Sequence, residues 1–399
     1  MAQRKIMKEI PVLLLTGYLG SGKTTLVNRI LTNRKGIRFA VIVNDIGEVN
    51  IDADLIQQGG VVGKKDESLV ALQNGCICCT LKMDLVEQLR DIASQQKFDY
   101  IVIEASGICE PEPIAQTICS IPSMYPSMAR DGLARLDCVA TVVDALRLRD
   151  EFASGDELMR RDLGEEDLQS LVIQQIEFCN IILLNKISCV TPDEAAHIKA
   201  IIRALQPSAK IIECDYGEID LDEILNTRMF DFEKVVTSST WIREVEGHHD
   251  DDDDDDDEHG HHHHHHDHEN DEEGEAEEYG IGTFVYSRRQ PFDLNCFDNF
   301  VDKKWPGSVI RAKGMCYFSE EFDVCYVFEQ AGKQFSMRNA GLWYATMPPD
   351  ELEEMVLREP DLARDWDPMY GDRMQKLVFI GQHMNREEIE RELDKCLAE

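Results

Sequence analysis

One segment constrains this chain more than any other: Gly17-Tyr18-Leu19-Gly20-Ser21-Gly22-Lys23-Thr24-Thr25. It follows an apolar run, Pro11 to Thr16, and so meets the pattern G-x-x-x-x-G-K-[ST] in strand–loop–helix context. Glycines let backbone N–H groups curl around a phosphate, and the helix that follows points its positive end at the charge. Lys23 would then reach the β- and γ-phosphates, and the Thr24 hydroxyl would ligate Mg²⁺. Gly17, Gly20, Ser21, Gly22, Lys23, Thr24 and Thr25 are the candidate phosphate-binding residues. A chain with this loop is expected to build a βα unit of a parallel sheet around it.

The surrounding pattern agrees. Pro11 to Thr16, Phe39 to Asn44, Tyr100 to Glu104, Cys138 to Val143, Ile181 to Asn185 and Lys210 to Glu213 read as buried strands. Amphipathic stretches at Leu81 to Ser94, Asp156 to Glu177 and Pro192 to Leu205 read as helices, the last opened by Thr191-Pro192 with Asp193 and Glu194 behind it. Such alternation implies right-handed crossovers and a mostly parallel sheet, an α/β P-loop domain over residues 1–235. From 236 to 278 the composition collapses into Asp, His and Glu, which bury too little to offset ordering entropy, and the segment reads as a disordered linker. A smaller α+β domain follows over 279–399. Its expected strands are Gly282 to Tyr286, Ser308 to Lys313, Asp323 to Glu329 and Gln375 to Gly381. Its expected helices are Phe292 to Lys303, Pro349 to Leu357 and Asn385 to Leu397.

Polar residues at strand ends extend the nucleotide reading. Glu104 closes one strand and is followed by Gly107, where P-loop enzymes carry a Mg²⁺-facing acid and a glycine that senses the γ-phosphate. Asp45 and Glu48 lie where a switch segment would fall, to serve Mg²⁺ or position water, though plain turn residues also suit the place. Lys23, Glu104 and Asp45 are the candidate catalytic residues. Asn185-Lys186-Ile187-Ser188 has the form of a guanine-reading Asn-Lys-x-Asp loop in which serine replaces the acid. Asn185 would bond the base edge and Lys186 lie along the ring, while Ser188 predicts looser selection of guanine.

The net charge of −36 argues against nucleic acid or an anionic membrane as the main partner, and no apolar run is long enough to cross a bilayer. The N-terminus has no signal-peptide pattern, so a cytoplasmic protein is expected. In a reducing compartment 13 cysteines do not form a disulfide framework. Ten are scattered and read as small hydrophobes. The other three, Cys76, Cys78 and Cys79, are crowded into one Cys-x-Cys-Cys. Adjacent thiolates need a cation, and soft sulfur selects Zn²⁺, Cu⁺ and similar ions, with redox chemistry or incidental burial as alternatives. Ten of the 12 histidines lie between His248 and His268, among them His261, His262, His263, His264, His265 and His266, next to eight consecutive aspartates. Such a tract offers weak transition-metal sites, or else acts as a solvating spacer.

Five segments in order carry a family resemblance: Gly17 to Thr25, Asn44 to Asp52, Cys76 to Cys79, Glu104 to Gly107, and Glu110-Pro111. The chain resembles CobW-type GTPases, a group that includes zinc-regulated GTPase metalloprotein activators and cobalamin-synthesis metallochaperones. Arg311-Ala312-Lys313-Gly314 and Gly371 to Gly381 resemble the family's C-terminal domain, and a His-rich acidic linker also occurs in the family. The resemblance implies GTP and Mg²⁺ at Gly17 to Thr24, and guanine at Asn185 and Lys186. It also implies a metal, Zn²⁺ or alternatively Co²⁺ or Ni²⁺, at the three cysteines, with Thr80 to Lys82 near the nucleotide. The expected activity is GTP-driven delivery of that metal to a client metalloprotein. A metal store with vestigial hydrolysis, a cobalt chaperone for cobalamin synthesis and an ATP-dependent transferase are the competing readings.

Overall fold

The computed structural model describes residues 9–32, 36–43, 82–124, 133–152, 166–232, 279–358, 362 and 366–398. In the first unit six strands form one parallel sheet: β1 (Glu9–Thr16), β2 (Phe39–Val43), β3 (Tyr100–Glu104), β4 (Leu133–Asp144), β5 (Ile181–Asn185) and β6 (Lys210–Cys214). Their order is β2-β3-β1-β4-β5-β6, and every pairing is parallel. Helices α1 (Lys23–Leu31), α2 (Lys82–Gln95), α3 (Pro111–Met124), α4 (Ala145–Phe152), α5 (Glu166–Glu177) and α6 (Pro192–Leu205) connect them. A strand in the middle of such a sheet has no solvent face, so its sequence runs apolar without alternation. β1 does this with Val12 to Leu15, all fully buried, and β3 and β5 likewise.

Helix α6 shows how local sequence sets a boundary. Thr191 Oγ1 accepts from the Glu194 N–H at 3.3 Å and Glu194 Oε2 accepts from the Thr191 N–H at 2.7 Å, a capping box with Pro192 just inside it. Two helices, α3 and α4, run through segments that the apolar pattern did not mark. α3 holds Pro122 in its interior, a residue that argues against a helix, yet it buries Ile114, Ile118 and Ile121. The anticipated helix at Asp156 is described only from Glu166.

The second unit is a five-stranded antiparallel sheet of β7 (Ile281–Arg288), β8 (Val309–Phe318), β9 (Glu321–Ala331), β10 (Gln334–Leu342) and β11 (Gln375–Gln382), in the order β10-β9-β8-β11-β7. Helices α7 (Leu294–Lys303), α8 (Pro349–Arg358) and α9 (Arg386–Asp394) accompany it. Its core is aromatic. Phe284 stacks on Phe379 at 5.0 Å and Phe292 on Phe297 at 4.9 Å, and Phe300, Ile389 and Leu393 from α7 and α9 join the same cluster. Edge strand β10 was not anticipated, because eight of its nine residues are exposed and it carries no buried face.

Candidate nucleotide site

The loop after β1 is shaped by contacts that exclude side chains. Gly17 has φ +132°, and a Cβ there would sit 2.3 Å from the Val142 carbonyl oxygen. Gly22 has φ +112°, and a Cβ there would meet the Asn185 amide at 2.3 Å. Thr16 and Thr141 bond through their hydroxyls at 2.8 Å, fixing the end of β1 against β4. Helix α1 then opens on Gly22 with no side-chain cap and no acid in its first turn. Its first N–H groups are thus left for an anion. Ser21 Oγ, at a residue 1% exposed, has no hydrogen-bond partner among the described residues, a second sign of a polar ligand at this loop. Lys23 is buried and folds across the loop, its Nζ donating to the Tyr18 carbonyl at 3.1 Å.

Glu104, 1% exposed at the end of β3, accepts from the Thr24 hydroxyl at 2.9 Å. A hydroxyl and a carboxylate held together beneath a phosphate loop are hard oxygen donors. They suit Mg²⁺, which takes a few protein oxygens and completes its shell with water and phosphate. The turn after β3 presses on the loop from below, since a Cβ at Gly107 would come 2.7 Å from the Leu19 nitrogen.

Asn185 ends β5 with 2% exposure. Its Nδ2 donates to the Ser21 carbonyl at 2.8 Å, and its Oδ1 accepts from the Gly217 N–H at 3.2 Å. One side chain therefore ties the phosphate loop to the turn after β6. Lys186, at φ +62°, pairs with Asp144 at the end of β4. Arg147 places its guanidinium over the Tyr18 ring at 4.0 Å. Asp144 and Arg147 were not foreseen. Their only sign in the sequence is an acid at the end of a strand opening a helix.

The family model for the CobW/HypB/UreG nucleotide-binding domain matches residues 11–213, and that for the cobalamin synthesis protein cobW C-terminal domain matches 281–397. The chain belongs to this family. The CobW-family chain is 35% identical to the zinc-regulated GTPase metalloprotein activator 1 of Dictyostelium discoideum, over 98% of this chain and 80% of that protein. It is 32% identical to the zinc chaperone CobW of Pseudomonas aeruginosa over 55% of this chain and 60% of that one. The solved Zn(II)-bound YjiA GTPase from E. coli aligns at 21% identity and TM-score 0.41, covering 98% of this chain and 100% of that chain.

In this CobW-family chain several anticipated site residues lie outside the described ones: Asp45, Glu48, Cys76, Cys78, Cys79 and the whole tract from His248 to His268. The remaining cysteines are mostly the small hydrophobes expected. Burial pushes the Cys138 and Cys179 thiols up to about 12, too high for thiolate chemistry near neutrality. Cys119 and Cys189 depart from that reading, being exposed on the surface. Arg311 and Trp305 of the C-terminal domain are packing residues: Arg311 is 2% exposed, and Trp305 packs on Phe300, Phe328 and Phe379. Among the described residues no helix is long and apolar enough to span a membrane.

Proposed function

We propose that this chain is a Mg²⁺-dependent GTPase that carries zinc at Cys76, Cys78 and Cys79 and transfers it to a client metalloprotein. The observation that carries the enzymatic half is the Thr24–Glu104 hydrogen bond beneath a phosphate loop that Lys23 already spans. Lys23 releases the Tyr18 carbonyl and neutralises charge on the transferred phosphoryl group. Thr24 and Glu104 would hold Mg²⁺, which when bound supplies charge neutralisation at the β- and γ-phosphate oxygens. Asn185 keeps the loop in register by holding the Ser21 carbonyl.

The metal half rests on the chemistry of three thiols within four residues, and on the relatives named for zinc. Three sulfurs leave one position of a tetrahedral ion for a donor from the client, an arrangement suited to release. If nucleotide state changes zinc affinity, zinc must change nucleotide affinity by the same factor. Zinc titrated into metal-free protein, with and without a non-hydrolysable GTP analogue, should give two different affinities. Equal affinities would remove the coupling. A Cys76→Ser, Cys78→Ser, Cys79→Ser variant that still binds zinc as tightly as wild type would remove the site.

A further inference from the structure

An Asn-Lys-x-Asp loop selects guanine with its acid, and this chain has Ser188 in that place. Ser188 lies in the short turn after Lys186. Its backbone N–H donates to Asp215 Oδ1 at 3.2 Å, and its hydroxyl donates to the same oxygen at 2.9 Å. Asp215 is half-buried and is the first residue after β6. Among the described residues its second oxygen, Oδ2, takes no hydrogen bond. The strands explain the meeting. β5 and β6 run parallel with Asn185 opposite Cys214, so the residues that leave both strands emerge side by side at one edge of the sheet.

The turn bearing Asp215 is clamped to the nucleotide loops. Through Asn185 it connects to the Ser21 carbonyl, as the Gly217 N–H bond to Asn185 Oδ1 shows. Arg29 Nε, from α1, donates to the Tyr216 carbonyl at 2.7 Å. Tyr216 and Gly217 hold φ of +52° and +63°, and a Cβ on Gly217 would come within 3.3 Å of Leu26 Cα.

We propose that Asp215 is the guanine-specificity residue of this chain and Ser188 its positioning residue. The carboxylate absent from the loop after β5 is delivered from the end of the neighbouring strand. A carboxylate has lone pairs for four hydrogen bonds. Ser188 takes one oxygen, and the other accepts from guanine N1–H and the exocyclic amine. Adenine presents an acceptor at N1, which a carboxylate repels. The proposal rests on the guanine-nucleotide reading above. It reverses the looser selectivity that Ser188 alone predicts.

The test is equilibrium binding of GTP, ATP and XTP to the full chain with Mg²⁺, for wild type and Asp215→Asn. Asparagine keeps an oxygen for Ser188, so the turn stays pinned, and it turns an amide NH₂ to the base. N1–H loses its acceptor in either nucleotide, but the NH₂ repels the guanine 2-amino group and donates to the 2-oxo group of xanthine. GTP binding should weaken about ten- to a hundredfold and the GTP-to-XTP affinity ratio should fall. An unchanged GTP-to-XTP ratio, including equal weakening of every nucleotide, would overturn the proposal, since a purely structural pin predicts that result. Wild type that prefers GTP over ATP beside such a variant overturns Asp215 alone. Wild type without that preference overturns the guanine reading and the proposal together. The exchange variant Ser188→Asp with Asp215→Ser gives an independent arm. It should keep the wild-type preference, and a preference well above wild type would show that Asp215 reads nothing.

Discussion

Both sheets bury charge, and they place it differently. In the parallel sheet three carboxylates stand at strand ends: Glu104 closes β3, Asp144 closes β4 and Asp215 follows β6, while Asp137, fully buried inside β4, is held by Tyr100, Arg135 and the Thr227 and Arg228 N–H groups. Parallel strands all finish on one side, so these ends gather along a single edge beside the phosphate loop. In the antiparallel sheet successive strands finish on opposite sides, and the charge lies mid-strand instead. Lys313 on β8 stands opposite Glu329 on β9, bonded at 3.0 Å, with Arg311 at 3.4 Å from the same carboxylate. Burial works to raise the Glu329 carboxyl, but Lys313, Arg311 and Arg338 outweigh it and hold it below the usual range. Charges at converging ends meet the loops that leave the strands. Charges inside a ladder face each other.

The sharpest way to break this contrast is Lys23→Ala. The ammonium acts on charge that develops in the transition state, so its loss should cut hydrolysis by about 10²–10³-fold or more. The thermal unfolding curve should barely move. Wild-type turnover in that variant would remove the loop from the chemistry.

Glu329→Gln should do the opposite. It leaves Arg311, 2% exposed, facing a neutral amide, and a buried charge stripped of its partner costs about 3 kcal/mol. Calorimetry should show the loss while GTP turnover of the folded protein holds. The pH dependence follows from the lowered carboxyl. Its stabilisation is complete above the ordinary value of 4.5 and fades as pH falls through the lower folded-state value. Wild type should therefore lose its advantage over the Gln variant in acid. An advantage that persists at low pH would mean the carboxylate is not what holds the cluster.

What could be read from the sequence follows the same division. The phosphate loop was legible because Gly17 to Thr25 is one continuous segment whose spacing is its function. Strands β3 and β5 and helix α6 were legible to the residue, since buried runs and the Thr191–Glu194 cap are local signals. Asp215 was not, because its importance comes from Ser188, to which only the register of β5 on β6 brings it. Asp144 escaped for the same reason, meeting Lys186 across two parallel strands. Helix α3 hid behind Pro122. Strand β10 hid because an exposed edge has no reason to alternate.

The smallest effect should come from deleting 247–278. Neither family model includes this stretch, which falls between the match ending at 213 and the one starting at 281. It carries 17 of the 77 acidic residues and ten of the 12 histidines. Imidazoles and carboxylates spaced along such a composition bind transition metals weakly, each site independent of a fixed geometry. Deletion should therefore lower zinc stoichiometry at high concentration. Binding at the site proposed for Cys76, Cys78 and Cys79 and the rate of GTP hydrolysis should stay as they were. Zinc binding isotherms and turnover on the same two preparations decide it. A fall in hydrolysis would show that the acidic tract acts on the converging strand ends, and that the nucleotide edge is not self-sufficient.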